Sequence, residues 1–218
     1  MASSLSNRRF NLSHLLLETL NVLVMQKVTF RLPTFLAIFF ALVFIGGCST
    51  HPPLPTPDHV DLERFMGRWY VLGYTPILVD KKAHNAIEHY RLDEENKIQT
   101  TYQFRDGGFD GELKTYTPVG WVHDKSTNAQ WRMQFIWPFR SDYIILHLAE
   151  DYSRTIVAHP SRKYAWIMQR EPQISDQDYE TMLQILESEG VDRGLLLRLP
   201  QDWSTEAERM ESLRSAGL

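Results

Sequence analysis

From Trp69 onwards, apolar and polar positions follow one another in short alternating runs. Ile98, Thr100, Tyr102 and Phe104 alternate with Gln99, Thr101 and Gln103, and Trp131, Met133, Phe135 and Trp137 are interleaved with Arg132 and Gln134. A period of two puts one set on an apolar face and the other in water, as in a half-buried strand. Clusters of Gly, Pro, Asn, Asp and Ser punctuate these runs, at 93–96, 105–108, 124–128, 138–141 and 159–163. The pattern predicts eight strands, over 69–79, 86–92, 97–104, 112–123, 129–137, 143–148, 155–158 and 164–170. No long helical period interrupts them, so the expected pairing is an antiparallel meander. Eight such strands can close into a barrel, which removes exposed edges and leaves room for its own side chains or one small ligand. A two-sheet sandwich is the other solution.

After the strands the period changes. Tyr179, Met182, Leu183 and Leu186 fall at i, i+3, i+4 and i+7, one stripe of a helix. Ser175 and Asp178 stand at capping positions before it, with Ile174 placed to staple against Tyr179, and Gly190 supplies a left-handed stop. The stripe is expected against the outer wall of the barrel. Residues 195–199 read as a further short strand. Residues 204–218 hold little apolar content and are expected to form a flexible, fraying tail.

The beginning of the chain is of another kind. Residues 32–45 are nearly all apolar, Lys27 and Arg31 precede them, and Gly46, Gly47 and Cys48 follow. A basic stretch, a short apolar core and a small-residue exit describe a secretory signal over 1–47, whereas a membrane span needs about 20 apolar residues. A start at Met25 fits that signal better than Met1. Ile45-Gly46-Gly47-Cys48 resembles the bacterial lipobox, with Ile in place of the usual Leu. That resemblance implies cleavage before Cys48 and its acylation as the new first residue, and Ser49 rather than Asp after it implies sorting to the outer membrane, at its periplasmic face. Four prolines among residues 49–57 suggest a semi-rigid tether over 48–58, leading to a folded domain over 59–203.

Composition narrows the function. The chain has 218 residues, of which 43% are hydrophobic and 23% charged, with a formal net charge of −4. It is neither disordered in composition nor basic enough for nucleic acid to be an expected partner. Without residues 1–47 the balance is 19 basic against 26 acidic side chains, a net −7. Anionic headgroups therefore do not attract it through net charge, and stable membrane attachment falls to the acyl anchor. A single cysteine excludes an internal disulfide and a cysteine-based zinc cluster.

Three motifs in order carry a family resemblance. Gly67-Arg68-Trp69-Tyr70 opens the first strand, Glu150-Asp151-Tyr152 lies between the sixth and seventh strands, and Arg170 ends the eighth. Together with the helix after the eighth strand they resemble the G-x-W, T-D-Y and Arg motifs of the lipocalins, with Glu150 where Thr is usual. The lipobox makes the resemblance one to the bacterial outer-membrane lipoprotein lipocalins, relatives of apolipoprotein D. It implies an all-β fold, an eight-stranded antiparallel up-and-down β-barrel (the lipocalin calyx) with one C-terminal α-helix packed outside. It also implies structural roles for Gly67, Trp69, Asp151, Tyr152 and Arg170: Trp69 closes the barrel floor and Arg170 lies across it, its donors free to satisfy the carbonyls around 62–67.

The ligand site has to come from the lining. Alternation nominates Tyr90, Tyr102, Met133, Phe135, Tyr143 and Trp166 as inward-facing. Large apolar walls with a few hydroxyls suit an acyl chain with a polar head, hence a fatty acid or lysophospholipid. Lys82, Arg105 or Arg140 in the mouth loops are candidates to meet that head. His84 and His89 lie five apart without a metal-ligand motif, His89 is expected to face solvent, and no G-x-S-x-G elbow occurs. Thiol chemistry in the cavity would need a second cysteine. No enzyme activity, metal or cofactor is expected. Two readings stand: a calyx that carries, stores or scavenges lipid at the envelope, and a structural or interaction lipoprotein with a filled barrel. The sequence leaves both a monomer and a homodimer open.

Overall fold

A computed structural model describes residues 51–217. The signal and Cys48 lie outside the described residues. The strands are β1 (Gly67–Tyr74), β2 (Ala83–Leu92), β3 (Ile98–Asp106), β4 (Glu112–Tyr116), β5 (Val119–Asp124), β6 (Gln130–Ile136), β7 (Phe139–Leu148), β8 (Arg154–Ala158), β9 (Ala165–Gln169) and β10 (Leu197–Arg198). All pairings are antiparallel, the strands follow chain order around the barrel except that β4 lies off the path beside β3, and β1 pairs with β9 from Tyr70↔Gln169 to Tyr74↔Trp166, which closes the barrel. The predicted strand over 112–123 is two pieces. Pro118 has no N–H to give the ladder, so β3 pairs first with β4 and then, past the break, with β5. β10 adds to β1 at Gly73↔Arg198, the short strand expected over 195–199.

One end of the barrel is shut. The one-turn helix α1 (Leu62–Phe65), capped by Asp61, places Phe65 under the barrel. There Phe65 meets Trp69, Tyr90 and Trp131 at ring-centroid distances of 5.0, 5.8 and 5.2 Å. The Trp69 Nε1–H donates to the Phe65 carbonyl at 2.9 Å. The Arg170 guanidinium lies 3.7 Å over the Trp69 ring and donates to the carbonyls of Arg64, Phe65, Met66 and Arg68 at 2.7–3.0 Å. Burial lowers its pKa to about 10, so it stays charged at neutral pH. Gly67 has φ +90, a backbone conformation strained for any residue with a Cβ, so this corner favours glycine. Asp151 accepts from the Ser153 N–H at 2.9 Å, and the Tyr152 hydroxyl accepts from the Asp61 N–H at 2.9 Å. The motif residues thus tie the shut end together.

The helix α2 (Asp176–Ser188) is capped by Ser175 and buries Tyr179, Met182, Leu183 and Leu186. They pack against outward-facing Ile144, Leu146, Ile156 and Ile167 of β7–β9. The missing side chain of Gly73 lets Tyr179 approach β1: a Cβ there would lie 2.6 Å from the Tyr179 hydroxyl.

Two segments differ from expectation. Residues 204–217 are not an undocked tail: helix α3 (Ala207–Ser215) lies on the outer face of β1 and β2, where Leu213 packs with Tyr70, Leu72 and Ile87. A buried ionic cluster holds it. Glu206 accepts from Arg105 twice at 3.0 Å, from Asn85 at 3.1 Å and from Arg209 at 3.3 Å, and Arg209 also donates to the Asn85 carbonyl. Burial alone would raise the Glu206 pKa, but these donors outweigh it and hold the carboxyl below its ordinary value. The proline-rich stretch, from His51 on, is likewise no free tether. Leu54 is buried against the α2 layer, Val60 enters the floor, and the Pro52 carbonyl accepts from Arg162 at 2.6 Å.

Candidate ligand-binding site

Above the floor the barrel is hollow and open. A cavity of about 600 Å³ is lined by Ile77, Val79, Tyr102, Tyr116, Pro118, Phe135, Ile136, Tyr143, Tyr164 and Trp166, with Thr115, Thr117, Ser141, Asp80, Glu88 and His159 among them. The mouth is formed by the β1–β2, β3–β4, β6–β7 and β8–β9 connections, opposite the Trp69 end.

Of the six nominated residues, Tyr102, Phe135, Tyr143 and Trp166 line this cavity. Tyr90 and Met133 face inward but do not reach it. Tyr90 is wedged between Phe65, Trp131 and Tyr143, and Met133 is buried beside Gly120 and Ile98, so both fill the floor. Tyr143 and Trp166 stack at 6.2 Å, forming a continuous aromatic wall above Trp131.

None of the three basic candidates lines the cavity. Arg105 lies on the outer face of β3 and is committed to Glu206. Arg140 stacks on Trp121 at 4.0 Å. Lys82 is exposed on the β1–β2 loop. The charged groups that do reach the cavity are acidic. Glu88, 8% exposed, sits at its base and accepts a hydrogen bond from Tyr90, whose hydroxyl is 2.5 Å from that of Tyr143. Burial, and then the Asp80 charge, raise the Glu88 pKa to about 8, so at neutral pH it is mostly the uncharged acid. Asp80 is also buried; it accepts from the Ile77 N–H at 2.7 Å and from Tyr102 at 3.2 Å, and burial raises its pKa. The strand alternation carried the signal for Glu88, since Ala86, Glu88 and Tyr90 share one face of β2. The apolar pattern passed over it because it is polar.

His89 is not solvent-facing. It lies on the outer side of β2, in register with Arg68 and Thr101, and is buried. Burial and the nearby Arg68, Arg170 and Arg91 charges lower its pKa to about 4, which keeps it neutral. His84 packs edge-on against Phe109 at 5.0 Å. Among the described residues no three His, Cys, Asp or Glu side chains are grouped to hold a metal.

A closed meander, an arginine across a floor tryptophan and an apolar cup above them are matched by the family comparison. A model of the lipocalin-like domain matches residues 60–201. The chain belongs to the lipocalins. This lipocalin is similar to the outer membrane lipoprotein Blc of Escherichia coli K12, at 28% identity over 174 residues that cover 74% of the chain and 92% of that protein. It is also 28% identical to temperature-induced lipocalin-1 of Arabidopsis thaliana, over 65% of the chain and 80% of that protein. Among solved structures, the cockroach allergen Per a 4 matches with a TM-score of 0.54 at 20% identity, covering 72% of the chain and 99% of the allergen. Insecticyanin of the tobacco hornworm Manduca sexta matches at 0.53 and 20% identity, over 74% and 89%. These two likenesses concern the barrel alone.

Proposed function

We propose that this lipocalin is an outer-membrane lipoprotein, acylated at Cys48, that holds a fatty acid or lysophospholipid in its calyx for transport, storage or scavenging at the cell envelope. The cavity of about 600 Å³ with mainly apolar and aromatic walls carries the reading. It is the size of an ordinary small-molecule site and is open at one end. A barrel filled by its own side chains would have no such space, which weighs against the structural-lipoprotein alternative. The outer-membrane placement draws on the lipobox and on the similarity to Blc.

The deep end of the cup sets the direction of entry. A fatty-acid carboxylate placed there would lose its hydration with no Lys or Arg among the lining residues to meet it, so the acyl tail goes down and the head stays at the mouth. Tyr102, Tyr143, Phe135 and Trp166 then line the methylene path. Each buried methylene contributes about 0.8 kcal/mol before ordering costs.

The test is mass spectrometry of lipid extracted from the purified processed protein, with displacement of a fluorescent fatty acid. Recovery of acyl lipid and displacement at micromolar concentration are expected. No lipid and no displacement would return the filled-barrel reading. Cys48→Ala is expected to release a folded protein from the membrane fraction, and persistent attachment would contradict acylation.

A further inference from the structure

The open end of the barrel is also where the apolar surface lies. Eleven large apolar side chains are exposed among the described residues, and nine of them line the cavity or stand on the loops around its mouth. Leu78 on the β1–β2 loop and Ile136, Trp137 and Phe139 on the β6–β7 hairpin are 72–85% exposed. An apolar cluster of this kind on a polar domain marks an interaction site. Lys81, Lys82 and Lys163 are exposed on the same set of loops.

A second observation concerns where the chain enters the domain. Arg162, in the β8–β9 turn at the open end, is buried. It donates Nη1 to the Pro160 carbonyl at 2.9 Å, Nε to that of Glu189 at 3.1 Å and Nη2 to that of Pro52 at 2.6 Å. From Pro52 the chain runs down the outside of the barrel, through Leu54 to Val60 in the floor. Cys48 precedes Pro52 by four residues, so its Cα lies within about 14 Å of that of Pro52. The ten residues of β7 extend about 30 Å. Even allowing for the tilt of the strand to the barrel axis, the leash is shorter than the barrel and is fastened at the mouth, so it holds the open end rather than the shut end to the membrane.

We propose that the calyx stands mouth-down on the phospholipid leaflet that holds the Cys48 acyl anchor, with Leu78, Ile136, Trp137 and Phe139 dipped into its interface. The proposal rests on the acylation argued above. Tryptophan and phenylalanine suit the headgroup boundary. The leash sets which end faces the bilayer, and the apolar rim is what the bilayer covers. A lipid then passes between leaflet and cavity without crossing water.

Thioether lipidation consumes the thiol of Cys48, the chain's only cysteine, so a single engineered cysteine reports one place. The full processed lipoprotein is reconstituted in phosphatidylethanolamine–phosphatidylglycerol vesicles carrying nitroxide-labelled lipid. A fluorophore on Trp137→Cys is expected to be blue-shifted and quenched at least about threefold more than one on Glu95→Cys in the β2–β3 turn at the shut end. Intact mass reads the acyl group first. A chain without it overturns the anchor, and the proposal with it; an acylated chain with equal quenching at both positions overturns the orientation alone. A blue shift at position 137 that arises without vesicles and grows with protein concentration makes a second copy the occupant, and also overturns it. The double variant Trp137→Glu, Phe139→Glu is expected to keep its melting point and its anchor while transferring a fluorescent fatty acid from vesicles about tenfold more slowly. An unchanged transfer rate counts against the proposal.

Discussion

Replacing Glu88 by Gln isolates the effect of burying an acid at the base of the cup. In the folded protein Glu88 ionises near pH 8, against an ordinary value of 4.5, because burial penalises the carboxylate. Once unfolded, the same group gives up its proton near 4.5. Below that pH both states hold the proton and the acid costs nothing extra. Between about 4.5 and 8 the unfolded chain is charged while the folded one keeps its proton, so stability falls as pH rises; above 8 the loss is complete. Each tenfold change in the ionisation constant is worth about 1.4 kcal/mol, which puts the loss at about 5 kcal/mol at most. Water entering the open cavity reduces this, and about 2–3 kcal/mol is a fair expectation. Gln is neutral and nearly the same shape, so Glu88→Gln escapes the penalty. Its melting point is expected to match the parent at pH 5 and to exceed it by about 5–10 °C at pH 9, taking about 2–4 °C per kcal/mol for a domain of this size. Thermal unfolding followed by circular dichroism across that range decides the matter. An offset between the two proteins that does not change from pH 5 to pH 9 would refute the reasoning.

Three further predictions test the rest of the architecture. Trp69→Ala removes a fully buried ring and the π face under Arg170, so a loss of about 3–5 kcal/mol is expected in denaturant unfolding; a midpoint that hardly moves would show that the floor does not depend on it. Glu206→Ala leaves Arg105 and the buried Arg209 without their carboxylate, at about 3–5 kcal/mol, and is expected to expose α3 to trypsin at Arg209 and Arg214, whereas unaltered cleavage would sink the clamp. Trp166→Ala is expected to weaken fluorescent fatty-acid binding about tenfold with a modest change in melting point, and Met133→Ala the reverse; a large affinity loss in the second would put Met133 on the ligand path after all.

The elements most legible in the sequence were those set by local chemistry. Ser175 and Gly190 bound α2, the three motifs mark the shut end, and alternation separates inner from outer faces. The parts that were not legible depend on partners far along the chain. Residues 204–218 look too polar to dock, and what docks α3 is Glu206 meeting Arg105 from 101 residues away. Prolines 52–57 read as a spacer because nothing local tells that Arg162 will reach the Pro52 carbonyl. Arg105 seemed available to a ligand for the same reason: its alternation, next to inward Phe104, places it outside, but only the fold supplies the carboxylate that occupies it.

The cavity residues show a finer limit. Alternation assigns a face, which for Tyr102, Phe135, Tyr143 and Trp166 is the cavity wall and for Tyr90 and Met133 the packed interior, but it does not give height along the barrel. On β6 and the turn beyond it, Trp131, Met133, Phe135 and Trp137 share one parity, yet their exposures run 0%, 2%, 52% and 82%. The first two fill the floor, the third lines the cup, and the fourth has left the barrel and stands at its rim. Four residues of one chemical kind on one strand face thus do three different jobs. Height is fixed by where the neighbouring strands end and by how much the floor side chains fill. Those are properties of the closed sheet, and alternation alone does not tell that Tyr90 and Met133 lie below the cavity or that Trp137 stands at the rim.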